Sequence, residues 1–111
     1  MPSNTLQLLE EIQRRYDDTS AQMADPQVAR NPSKLRALGR EHHRLSAILQ
    51  AGAQYKSMIR QIEEAKEIIA EESDPELVNL AKSDLESLLT QYEDLEERLQ
   101  DLLIPPDPND G

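Results

Sequence analysis

The sequence predicts an all-α fold, an elongated three-helix bundle that continues into a long antiparallel helical hairpin of coiled-coil type. Apolar residues step by three and four over most of the chain, as they do on one face of an amphipathic helix. Three Asx-Pro pairs, Asp25-Pro26, Asn31-Pro32 and Asp74-Pro75, punctuate the pattern. The apolar residues are mostly Leu, Ile and Ala, with three Tyr and no Phe or Trp, a palette that fills a narrow seam between helices better than a wide interior. Hydrophobic residues make up 37% of the 111. That is below the usual globular share of about 45–50% and excludes a large round core.

Helix one is expected over residues 5–23, with Leu9, Ile12, Tyr16 and Met23 at helical spacing and Thr19 or Ser20 filling the missing step. Asn4 and Gln7 are spaced as a capping box. Residues 25–31 have room for little more than one turn. In each Asx-Pro pair the Asx side chain can accept from free N–H groups of the first turn. Proline at the first helical position lacks only a donor that would have no partner there.

Helix two is expected over 32–72. Leu35, Leu38, His42, Leu45, Leu49 and Gly52 form its first stripe, which continues after a phase shift through Tyr55, Ile59, Ile62 and Ile69. Unbroken, it spans about 60 Å at about 1.5 Å per residue. Its weakest point is Ala51-Gly52-Ala53, because an interior glycine costs about 1 kcal/mol relative to alanine; a bend or a close helix crossing is expected there. Helix three is expected over 75–104, with the seam Leu77, Ala81, Leu85, Leu88, Tyr92, Leu95, Leu99, Leu102. Pro105 and Pro106 end it, so the domain is placed at 1–104 and a Pro-rich exit linker at 105–111.

The connection between helices two and three lies within residues 71–74, and so short a connection forces an antiparallel hairpin. The expected seam joins Leu45, Leu49, Ile59 and Ile62 to Leu85, Leu88, Tyr92, Leu95 and Leu99. Helix one would cover part of it near the open end, leaving a bare two-helix stretch towards the tip.

Charge divides the chain. The formal net charge is -10, but residues 1–50 hold seven Lys/Arg against six Asp/Glu, and residues 51–111 hold five against sixteen. The second half therefore repels phosphate backbones and suits a basic protein partner, and any RNA-facing surface has to lie in the first half. With no cysteine, disulfides, thiolate metal sites and cysteine nucleophiles are excluded. The N-terminus lacks the basic and apolar regions of a signal peptide, and no unbroken apolar run is longer than three residues, as in Leu102-Leu103-Ile104, so neither export nor membrane insertion is expected and a cytoplasmic location is.

Catalytic motifs are missing. Gly39, Gly52 and Gly111 are the only glycines, too few and too scattered for a phosphate-cradling loop. His42 and His43 are adjacent and diverge on a helix, unlike the i, i+4 pair of a zinc helix. The positions three residues before them are Gly39 and Arg40, where a di-iron bundle needs Glu. No cofactor, metal or small-molecule substrate is expected. His42 is expected in the seam, bonded to a neighbour, and His43 in solvent. Glu63-Glu64, Glu71-Glu72 and Glu96-Glu97 are expected as solvated faces.

One cluster stands out. Arg30, Lys34, Arg36, Arg40 and Arg44 set five basic residues against Glu41 alone. Arg36, Arg40 and Arg44 lie four apart and form one stripe, the candidate partner-binding residues. Such a stripe either pairs with acidic side chains of the neighbouring helices or docks on RNA phosphate or an acidic protein.

In sequence order, the capped first helix, the segment Leu35-Arg36-Ala37-Leu38-Gly39-Arg40-Glu41-His42-His43-Arg44-Leu45, the acidic helix from Leu85 to Leu103 and the closing Leu102-Leu103-Ile104-Pro105-Pro106-Asp107-Pro108-Asn109-Asp110 resemble the start of bacterial class I peptide chain release factors. The branch that reads UAA and UAG is the most similar. The resemblance covers essentially the whole chain. Its most specific part is the proline-rich exit at its distance from the Leu-Arg-Ala-Leu-Gly-Arg-Glu segment, although Pro105 stands where the family commonly has Lys. It implies a role in translation termination, as a helical arm that contacts the ribosome near the base of the large-subunit stalk and takes part in recycling by the GTPase release factor. The family's codon-reading domain and Gly-Gly-Gln loop have no counterpart among these residues, so the chain alone is expected not to be an enzyme. The rival expectation is a stand-alone acidic coiled-coil adaptor or dimerisation module, self-associating through its seam.

Overall fold

The computed structural model describes residues 2–104. They form α1 (Pro2–Met23), α2 (Pro26–Ala29), α3 (Pro32–Glu71) and α4 (Pro75–Leu103), with no strand among the described residues. The chain divides into two compact units, residues 1–52 and 53–111. The expected linker, 105–111, lies outside the described residues.

In the first unit α1 presents a regular stripe. Thr5, Leu9, Ile12 and Thr19 are buried, and Tyr16 and Met23 are half-buried between them. Thr19 fills the step that the sequence leaves open between Tyr16 and Met23, and its hydroxyl donates to the Arg15 carbonyl at 2.7 Å. This back-bond satisfies the buried hydroxyl within its own helix. On α3, Leu45 and Ile48 are fully buried and Ala51 nearly so. Leu9 meets Gly52, while Tyr16 and Ser20 meet His42, so α1 and this part of α3 run antiparallel.

All three Asx-Pro pairs behave as helix starts. Asp25 accepts from the Gln27 N–H at 3.0 Å, Asn31 from Lys34 at 3.2 Å and Asp74 from Glu76 at 3.0 Å. The first helix differs from expectation: it begins at Pro2, which places Asn4 inside its first turn and not at a cap. Proline suits that position because its fixed φ is already helical.

Gly52 has a packing role. α3 is one helix through this position, and a Cβ added there would lie 2.7 Å from Leu9 Cδ2. The expected close crossing is present: glycine lets α1 press its leucine against the α3 backbone.

In the second unit, residues 53–71 of α3 pair with α4 across a link of only Glu72, Ser73 and Asp74. The Glu72 carboxylate accepts the N–H groups of Ser73 and Asp74 at 3.1 and 3.2 Å, which tightens the reversal. Tyr55 stacks on Tyr92, with ring centroids 5.1 Å apart, as an antiparallel hairpin requires. Tyr55, Ile62, Ala65, Ala81, Leu95 and Leu99 are buried; Ile59, Leu85, Leu88 and Tyr92 are half-buried.

Leu77 departs from the expected seam, being 47% exposed, and Ala81 is the first buried residue of α4. The small Ala65 and Ala81 border the same groove on the facing helices. Where alanines make the contact the seam is thin, and a leucine in the turn before it has nothing broad enough to cover it. Thr5, Ile48, Ala51 and Ala65 are buried as well, although none of them belongs to the expected stripes.

Candidate functional site

The basic segment begins at the end of α2 and runs along the first turns of α3. Arg30, Lys34, Arg36 and Arg40 are all exposed. Arg36 and Arg40, one turn apart on an unbroken helix, form no ion pair among the described residues. They present two guanidinium groups to solvent on one line.

Arg44, the third member of the stripe, is held differently. Its Nε and Nη2 donate to the two carboxylate oxygens of Glu41 at 3.1 and 2.9 Å, a bidentate pair between residues three apart. Arg15 of α1 approaches the same carboxylate at 3.8 Å. The hydrogen bond from Arg44 holds the Glu41 carboxyl below its ordinary value against the opposing effect of burial, with the Arg44 and Arg15 charges adding to it. The same bond raises the pKa of Arg44. Glu41, the single acid within the basic run, thus fixes Arg44, while Arg36 and Arg40 project freely.

His42 lies behind this surface. Its ring stacks on Tyr16 with centroids 4.3 Å apart, and its Nε2 lies 2.9 Å from Ser20 Oγ. This is the seam position bonded to a neighbour that the helical spacing predicts, and His43 beside it is exposed, as expected. No group of three or more His, Asp or Glu among the described residues is placed to hold a metal ion. No helix among them is long and apolar enough to cross a membrane.

The second unit contains a polar cluster that sequence spacing only partly suggests. The Tyr55 hydroxyl donates to Glu96 Oε2 at 2.8 Å and lies 2.8 Å from the Tyr92 hydroxyl. Either hydroxyl can be the donor in the bond between the two tyrosines. Burial raises the Tyr55 pKa well above the ordinary tyrosine value, and the bonds to Tyr92 and Glu96 raise it further. Tyr92 is raised as well, chiefly by burial. Glu96, expected on a solvated face, is instead tied into the seam. Its spacing of four from Tyr92, on the face that carries the helix three seam, is the signal in the sequence that points to this role.

The arrangement is that of a helical module with charged faces: a basic line on the first unit and an acidic hairpin in the second. A profile of the PCRF domain matches residues 12–111, and the chain belongs to that family. It is 38% identical over 102 residues to peptide chain release factor 1 of Listeria monocytogenes serotype 4a (strain HCC23), covering 92% of this chain and 28% of the relative. It is 36% identical over 103 residues to peptide chain release factor 1 of Cytophaga hutchinsonii, covering 93% of this chain and 29% of that protein. The factor of the same name from Geobacillus sp. (strain WCH70) is 37% identical over 102 residues, 92% of this chain and 28% of that protein. The chain therefore spans less than a third of the length of these relatives. No solved structure matches.

Proposed function

We propose that the chain acts in translation termination, as the N-terminal ribosome- and partner-docking arm of a class I peptide chain release factor working at UAA and UAG codons. The observation that carries this reading is the PCRF match across residues 12–111, joined to relatives that are peptide chain release factors 1. Codon reading and peptide release belong, on this reading, to parts of those factors outside the stretch shared with this chain, so the 111 residues alone carry no hydrolytic step. The ribosome, near the base of the large-subunit stalk, and the GTPase release factor are the proposed partners, and the cytoplasm is the proposed location.

The geometry supports docking through the first unit. Arg36 and Arg40 are exposed on one line of a long helix, the presentation that lets guanidinium groups meet successive phosphates or carboxylates. The acidic second unit is repelled by RNA and suits protein contacts. The test is competition. The fluorescently labelled chain is bound to ribosomes carrying a stop codon in the A site, and unlabelled full-length release factor 1 is added. Displacement by the factor, with no peptide release by the chain itself, is the expected result. Absence of ribosome binding, or formation of an obligate dimer that leaves ribosomes untouched, would replace this reading with the coiled-coil adaptor.

A further inference from the structure

Near the closed end of the hairpin the seam opens on one side. Two hollows adjoin there and share Glu64 and Ile68. The floor is apolar: Ala65 and Ala81 at the base, Leu88 half-buried, and Ile68, whose surface is 44% exposed. The walls are acidic, with Glu64, Glu67, Glu71 and Glu72 along α3 and its end and Asp84 on α4, and neither hollow is lined by a Lys or Arg. Leu77 and Leu80, on the first turns of α4, are 47% and 59% exposed. Residues 61–90 hold nine Asp and Glu against two Lys.

We propose that this groove is a docking site for a basic amphipathic helix of a protein partner. Complementarity decides the occupant. A helix laid in a groove places residues of one stripe on the floor and the flanking residues against the walls. Here the floor takes Leu, Ile or Met, and carboxylates on both sides take Lys or Arg. A second copy of this chain would bring its own acidic walls against these, and a nucleic acid would meet like charge on every side. The inference needs only the hairpin and stands independently of the ribosome reading above.

The probe is a labelled 18-residue helix composed only of Leu and Lys, with leucines spaced three and four apart, titrated into the full 111-residue chain. The control peptide has the same composition in an order that gives no apolar face. The expected result is micromolar binding of the amphipathic probe, at least about tenfold tighter than the control. Amide shift changes are expected to gather within residues 61–88. Charge reversal in Glu64→Lys/Glu67→Lys/Glu71→Lys, at exposed positions, should weaken binding at least tenfold with helicity unchanged. Should that variant lose helicity, Ile68→Asn alone is to give a loss of severalfold or more. Equal binding of the two peptides means electrostatics without a groove. That result, shifts centred on the other acidic stretch, residues 93–101, or a dimer in sedimentation that covers Ile68, would overturn the proposal.

Discussion

Residues 1–52 and 53–111 differ first in how their helices are held together. In the first unit glycine meets leucine at Gly52 and Leu9, and Leu45 and Ile48 of α3 have no exposed surface. In the second, alanines border the groove, Leu85 and Leu88 are only half-buried, and a tyrosine pair carries a hydrogen-bonded carboxylate. The first unit also carries the basic line and the second the acidic walls. The same three-and-four periodicity therefore supports a closely packed crossing in one place and an open-sided hairpin in the other. Periodicity specifies which face turns inward; the size of the residues on it determines how far the face is covered.

The largest effect expected from this difference is in side-chain truncation. Leu45→Ala should cost about 2–5 kcal/mol, the range for fully buried leucines that leave a cavity. Leu88→Ala, beside the groove, should cost about 1 kcal/mol, in proportion to the smaller area it hides. Urea unfolding of the two variants measures both, and equal losses would break the comparison. Glycine provides the next test. Gly52→Val should destabilise by about 1–3 kcal/mol, because the added methyls collide with a leucine that is itself buried. Gly39→Ala, where nothing lies within 4 Å of the new Cβ, should stabilise by about 0.5–1 kcal/mol through helix propensity. Thermal unfolding of both variants decides the signs.

The tyrosine cluster predicts an alkaline limit to the second unit. Tyr55 and Tyr92 have raised pKa values in the folded protein, so folding favours the protonated phenols. Their contribution is complete below the unfolded value of about 10 and is lost as pH rises above it. Between pH 8 and 11.5 the native chain should lose stability more steeply than Tyr55→Phe/Tyr92→Phe, and parallel curves would remove the cluster as the cause. The effect at Glu41 is smaller and of opposite sense. Its folded pKa is lowered, so its contribution is present above the unfolded value of about 4.3 and is lost as pH falls through the folded one. The carboxylate is partly exposed, which limits the pair to about 1 kcal/mol or less. Unfolding at pH 3 and pH 6 should separate native from Glu41→Gln at the higher pH only.

Much of the fold is legible in the sequence because it rests on local rules. The Asx-Pro pairs set three helix starts, the short link dictates the hairpin, and Gly52 marks the close crossing. What the sequence does not show comes from tertiary packing. Ala51, Ala65 and Thr5 are buried by what stands opposite them, which composition does not reveal, and Leu77 remains outside because the seam thins to alanine beside it. At the candidate site, spacing places Arg36, Arg40 and Arg44 on one stripe. It does not show that Glu41 holds Arg44 while the other two project, because that depends on rotamers and on the approach of Arg15 from α1.

That last distinction bears most directly on the proposed docking on ribosomes. The dissociation constant for ribosomes is to be measured at several salt concentrations for the native chain, Arg36→Glu/Arg40→Glu and Arg44→Gln. Removing one arginine–phosphate pairing should lower the logarithmic salt slope by about 0.7–0.9. Weaker binding and a slope flatter by about 1.4–1.8 are expected for the double reversal, twice the single-phosphate value, with Arg44→Gln close to native. Three equal constants and three equal slopes, with all proteins folded, would contradict that docking and leave the basic line as a solvated face.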